Sequence, residues 1–313
     1  MEDNVKRKLL MLLLFLWYCL SAILLAPILI EYFFDENNLF SELFSEFLSV
    51  VIPVLIVKTV KDKKREKYLF KTGKVSLKMV GGKKVLGSIM MIIAYFFFVQ
   101  YMINGIHICS YIMTGDFGEV FLLSQPNFIT FILSVFVYAL LPSVFEEMHY
   151  RAYYFECFKT DKLPILLLCS SITFASAHIN TASIINAFFI GMLLMILYKK
   201  LHSFILIVIL HFIYNFLDLL FSTYISIPYS MLDLLNDYAN VKQNKAAVLI
   251  SFGCAVLFLS VLIVMFRYVI AKEVDSFKEE TEECSCSKYR VVEYAITSVL
   301  LVLAVVLIFL KVQ

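Results

Sequence analysis

The sequence predicts an all-α protein, a polytopic transmembrane helical bundle, and three observations carry that prediction. The 313-residue chain is 61% hydrophobic and only 17% charged, whereas a soluble domain is roughly 45–50% apolar and about 25% charged. Its mean hydropathy is +0.86. Apolar runs of ~20 residues, the length that crosses a bilayer as a helix, recur along the whole chain. With 30 Phe and 18 Tyr against 9 Gly, the collagenous, disordered and disulfide-rich classes are excluded. A net charge of +2 gives no ground for a nucleic-acid partner; the lipid bilayer is the first partner the composition implies.

The predicted spans are 9–30, 39–57, 86–106, 127–158, 163–182, 184–198, 203–221, 246–270 and 291–311, an expectation of eight or nine. The first follows Lys6-Arg7-Lys8 and could be taken for a signal peptide. Its apolar run is too long for that and no A-x-A-like site follows, so it reads as a retained anchor. The second carries Glu42, Glu46 and Pro53 and is the least regular. The 7 Cys are scattered through apolar runs and read as small buried hydrophobes; Cys284-Ser-Cys286 lacks metal or redox spacing.

Orientation follows from the basic residues. With the N-terminus inside, all of the 27 Lys and Arg except Lys242, Lys245 and Lys311 fall on the cytoplasmic side, a positive-inside bias. The Lys-rich loop 58–85 is suited to anionic lipid or to water, and the segment 271–290 is expected to be solvated. The expectation is an integral membrane protein of the plasma membrane with a cytoplasmic N-terminus.

Against this apolar background Glu146, Glu147, Arg151, His178, His211 and Asn215 stand out. Ionisable groups inside a span are costly, ~2.5–3.5 kcal/mol at the helix centre, so they face the protein interior and mark function. Arg151 follows Glu147 by four residues, one helix face, and is assigned to holding a carboxylate. Glu146 points about 100° away and is left for other work. At ~1.5 Å of rise per residue, Glu146 lies ~18 Å, His178 ~22 Å, and His211 and Asn215 ~12 and ~18 Å from the cytoplasmic ends of their helices. Three helices thereby bring polar groups into one layer.

A carboxylate beside an imidazole can take a proton from water and make it a nucleophile. A second imidazole with an amide can donate to the oxyanion of a tetrahedral intermediate. No Ser or Cys is evidently paired with these groups, which speaks against an acyl-enzyme. Glu146, His178 and His211 could alternatively hold zinc with an open water position, although no His-Glu-x-x-His run is present. The cofactor expectation is therefore none or zinc. The plainer readings are a capping box of Ser143 and Glu146 restarted at Pro142, a core histidine at 178, and hydrogen-bond glue at His211 and Asn215. Pro142 more naturally kinks an overlong span. His149 either bonds a neighbouring backbone or faces a wet entrance, or tunes Glu146 from one turn away. Asp218, Asn180 and Asn186 are candidates to line the same cavity, without an assigned role.

Glu146-Glu147-Met-His-Tyr-Arg151, Phe174-Ala-Ser-Ala-His178 and His211-Phe-Ile-Tyr-Asn215 resemble, in order, the three motifs of the CPBP family. This family comprises the CAAX proteases and bacteriocin-processing enzymes, also called Abi or type II CAAX prenyl endopeptidase-like. Phe189-Ile-Gly191 and Tyr198-Lys-Lys resemble its stretch between the second and third motifs. Many relatives have an apolar residue and Phe between the glutamates and the arginine, with Gly after it; here the run is Met148-His149-Tyr150, then Ala152. The resemblance implies intramembrane peptide-bond hydrolysis. Glu146 would then be the water-activating base, His178 its partner, His211 and Asn215 the oxyanion donors, and Glu147 and Arg151 supports; a glutamate-type or metalloprotease mechanism is left open.

The expected organisation is N-terminal spans and a basic loop over 1–126, a CPBP/Abi-like catalytic core over 127–221, and C-terminal spans with a charged loop over 222–313. The partner expected is a peptide or membrane-protein substrate. The alternative is a non-proteolytic relative acting in peptide binding, bacteriocin immunity or regulation. An ion-coupled transporter would need inverted repeats, and none is evident.

Overall fold

The computed structural model describes residues 2–33, 39–59, 61–62, 67–68, 80–114, 127–158, 161–178, 181–223, 245–270 and 287–312. The helices in chain order are α1 (Glu2–Leu20), α2 (Ala26–Phe33), α3 (Leu39–Glu46), α4 (Ile52–Thr59), α5 (Gly82–Thr114), α6 (Phe128–Ser134), α7 (Leu141–Glu147), α8 (Tyr154–Phe158), α9 (Leu163–Ser176), α10 (Thr181–Leu201), α11 (Phe204–Thr223), α12 (Lys245–Ile270) and α13 (Ser287–Val312). Wider π turns join α1 to α2 (Ser21–Leu25), α3 to α4 (Phe47–Val51), α6 to α7 (Val135–Leu140) and α7 to α8 (Met148–Tyr153). A short antiparallel ladder pairs Lys61 with Tyr68 and Asp62 with Lys67. Most of the loop 58–85, the segment 271–286 with Cys284-Ser-Cys286, and Asn180 lie outside the described residues.

The fold is an all-α bundle of membrane type. Among the described residues five helices are long and apolar enough to cross a bilayer, and three shorter apolar helices accompany them. Eight or nine spans were expected, and at one of them the structure shows where the helix stops short. The span expected over 163–182 ends at Ser176, because Ala177 and His178 turn their N–H groups to the carbonyls of Phe174 and Ala175 at 3.1 Å each, a tightening last turn. The chain resumes as α10 at Thr181. Outward faces remain apolar, with Leu249, Val256 and Leu257 of α12 exposed; such a surface belongs in lipid, which makes this an integral membrane protein.

Pro142 explains one π segment. A proline inside a helix has no N–H and its ring collides with the carbonyl four residues earlier, here Tyr138 inside Val135–Leu140. A widened turn there lets the helix run on through Phe128–Phe158. Ser143 is consequently buried within α7, and the capping-box reading of Ser143 and Glu146 is set aside because the helix does not restart there.

The helices group into two compact units. One comprises Met1–Met79, Leu141–Val208 and Ser276–Gln313; the other comprises Val80–Leu140 and Ile209–Asp275. In the first, α1 packs on α8 and α13, and α9 on α10 and α13. Lys8, 1% exposed, ties these elements: its Nζ lies 2.9 Å from Asp161 Oδ2 and 3.3 Å from Glu293 Oε2, and 4.9 Å from the Phe158 ring centre. Trp17 Nε1 donates to the Leu48 carbonyl at 3.0 Å, and the Tyr153 hydroxyl to that of Val54 at 3.2 Å. At the end of α10, His202 adopts φ 48°, the left-handed turn that closes helices. The next helix, α11, starts where Ser203 Oγ accepts from the Leu206 N–H at 3.4 Å.

In the second unit α5 pairs with α12. Small residues permit the approach: a Cβ on Gly105 would sit 3.0 Å from the Phe252 ring. Phe96 meets Tyr214 and Phe221 of α11 at 5.8 and 5.4 Å between ring centres, so aromatic packing seats α11 on α5.

Candidate active site

The two carboxylates of the first motif end α7, immediately before the π segment Met148–Tyr153. Such wide turns inside helices recur at functional sites, since they re-aim the side chains that follow. Glu147 Oε1 and Arg151 Nη1 are 3.0 Å apart, both side chains 0% exposed, so the i, i+4 pairing read from sequence forms. Glu146 is only half-buried, and the charged side chains acting on it are Glu46, Arg151 and Glu147.

Arg151 is held from a second side by an aromatic face. Its guanidinium carbon lies 4.3 Å from the centre of the Phe174 ring, a desolvated cation–π contact. Arg151 Nε and Nη2 have no hydrogen-bond partner among the described residues, so ion pair and ring are what hold the charge there. Gly191 gives the ring its room: a Cβ at 191 would stand 3.0 Å from Phe174 Cδ1. The Ser170 hydroxyl donates to the Tyr150 carbonyl at 2.7 Å and fastens α9 to the π segment.

His178 follows the end of α9 rather than riding inside a helix, which corrects the helical depth reckoned for it. Its Nδ1 is 3.1 Å from the Phe174 carbonyl. A carbonyl only accepts, so Nδ1 carries the proton and the Nε2 lone pair is the basic position. The turn that carries it is anchored from α1, where the Tyr18 hydroxyl donates to the Ala177 carbonyl at 2.8 Å. Sequence reasoning missed Tyr18, whose partner is remote in the chain. It also gave Glu46 no role, although a carboxylate within an apolar span was the signal that could have found it. His149 is buried, its ring 4.5 Å from that of Tyr150 and 5.9 Å from that of Tyr154, so it does not open on a wet entrance.

Glu146, Glu147, Arg151 and His178 belong to the first unit; His211 and Asn215 belong to the second, on α11. There His211 is 3% exposed and Asn215 half-buried, and their four-residue spacing puts them on one helix face. For the zinc alternative, no group of three or more His, Cys, Asp or Glu side chains that could hold a metal occurs among the described residues. Of the three zinc ligands conceivable from sequence, Glu146 and His178 lie in the first unit and His211 in the second, and no step below is routed through a metal.

Residues 128–217 match the family model described as type II CAAX prenyl endopeptidase Rce1-like. The match takes in all six of these polar residues. Neither a curated protein nor a solved structure matches the chain. Over residues 128–217, then, this integral membrane protein is similar to the type II CAAX prenyl endopeptidase Rce1-like family, a protease family, the same kinship its three motifs suggest.

Proposed function

We propose that the protein is an intramembrane endopeptidase that hydrolyses a peptide bond in a membrane-associated peptide or protein, at the plasma membrane and with its N-terminus in the cytoplasm. The observation that carries this reading is the division of labour between neighbouring carboxylates. Glu147 is wholly buried in its pair with Arg151, while Glu146 beside it keeps part of its surface exposed, as a group that meets water must. In the proposed reaction Glu146, with the Nε2 side of His178, takes a proton from water as its oxygen attacks the carbonyl carbon. His211 and Asn215 donate hydrogen bonds to the resulting oxyanion. The proton then passes to the departing amine nitrogen as the C–N bond breaks, giving a carboxylic acid and an amine, between which the acid proton is then exchanged to leave a carboxylate and an ammonium group.

The test is a comparison of peptides and membrane-protein fragments, by mass spectrometry, in cells carrying the natural protein and Glu146→Ala at equal expression. The proposal expects intact substrates to accumulate and their fragments to vanish in the variant. An unchanged peptide profile combined with an unchanged phenotype would favour a non-proteolytic role.

A further inference from the structure

Asp218 is a carboxylate that the reaction above does not use. On the regular helix α11, Asn215 and Asp218 lie at about +40° and −20° from His211, at 100° per residue, so the three share one face. Exposure rises along that face: His211 is buried, Asn215 half-buried and Asp218 exposed. Asp218 Oδ1 accepts a hydrogen bond from Gln100 Nε2 of α5 at 3.1 Å, and among the described residues no cation pairs with it. One turn further along α5, on the same side as Gln100, Asn104 is 7% exposed with neither side-chain atom hydrogen-bonded among the described residues. Asp218 with its amide donor thus continues the His211–Asn215 face, and a buried, unpartnered amide lies one turn further along α5.

A carboxylate inside a span is costly unless it meets water or a positive charge. A single amide donor supports the ionised form without neutralising it. We propose that Asp218 and Gln100 form a specificity subsite for a cationic group on the substrate, a Lys or Arg side chain or an α-amine. This rests on the assignment of His211 and Asn215 to the scissile carbonyl. Asp218 stands seven residues beyond His211, ~10 Å along the helix. An extended peptide advances ~3.3 Å per residue, so the cation belongs about three residues from the cut.

The test uses the full-length Glu146→Ala protein in lipid nanodiscs, which keeps peptides uncut. Short fluorescent apolar peptides carry one Lys, or norleucine in its place, at successive positions. The Lys peptide is expected to bind about tenfold more tightly than its norleucine twin over a narrow stretch of positions. Adding Asp218→Asn is expected to erase that difference, and Asp218→Glu to preserve it. Twins that bind equally, or a Lys preference that survives Asp218→Asn in a monodisperse protein, would overturn the subsite. Cleavage of the same peptides by the protein with Glu146 intact is scored separately. Its absence would count against the hydrolase and not against the cation site.

Discussion

Arg151 sets its guanidinium carbon 4.3 Å from the centre of the Phe174 ring. The same Phe174 offers its carbonyl to His178 Nδ1 at 3.1 Å, and its ring stands 5.1 Å from the imidazole. One residue therefore links the arginine that holds Glu147 to the histidine proposed to act with Glu146. Phe174→Leu removes the π face at similar hydrophobicity and is expected to cost about 2 kcal/mol of stability. Because Phe174 positions other groups rather than touching substrate, kcat should fall with KM little changed. Thermal unfolding and steady-state cleavage check both halves.

Two glycines make opposite predictions. Gly191→Ala would push a Cβ to 3.0 Å from Phe174 Cδ1 in a packed interior, and overpacking of this kind costs about 1–3 kcal/mol. Gly253 of α12 has nothing within 4 Å of a built Cβ, so Gly253→Ala should stabilise by about 0.5–1 kcal/mol. Unfolding midpoints of the two variants, measured side by side, should move in opposite directions.

Lys8 is bracketed by Asp161 and Glu293 with its side chain 1% exposed. Lys8→Met removes the cation that Asp161 and Glu293 share, and breaking a buried pair in this way costs about 3–5 kcal/mol. Adding Asp161→Asn and Glu293→Gln should recover part of that loss, since neutral amides need no counter-charge. Stability in detergent for the single and triple variants is the measurement.

The readable parts of the site were those written in local spacing. Glu147 and Arg151 lie four residues apart, and they meet. Pro142 announced an irregularity, which takes the form of a widened turn. The end of α9 was not legible, because it depends on main-chain bonds around Ala177 and on a hydroxyl from Tyr18, 159 residues away in sequence. The π segment after Glu147 was equally hidden, as the shift from i+4 to i+5 bonding has no residue signature of its own. The use of Phe174 as a platform for Arg151 also requires two helices in register, which no single motif encodes.

Metal dependence offers a further check. Glu146, His178 and His211 were the zinc ligands conceivable from sequence, and no metal-holding group of three such donors occurs among the described residues. The proposed reaction routes no step through a metal, so a membrane-permeant zinc chelator should leave cleavage by the purified protein unchanged. Inhibition reversed by added zinc would contradict that expectation.

The most direct measurement compares the purified natural protein with Glu146→Gln in nanodiscs, using substrates identified from the cellular peptide profiles. Glu146→Gln keeps the shape and removes the base, so cleavage should drop by about 10²–10⁴-fold while the unfolding midpoint stays close to that of the natural protein. Cleavage at the natural rate by Glu146→Gln would contradict the assignment of Glu146 as the group that activates water.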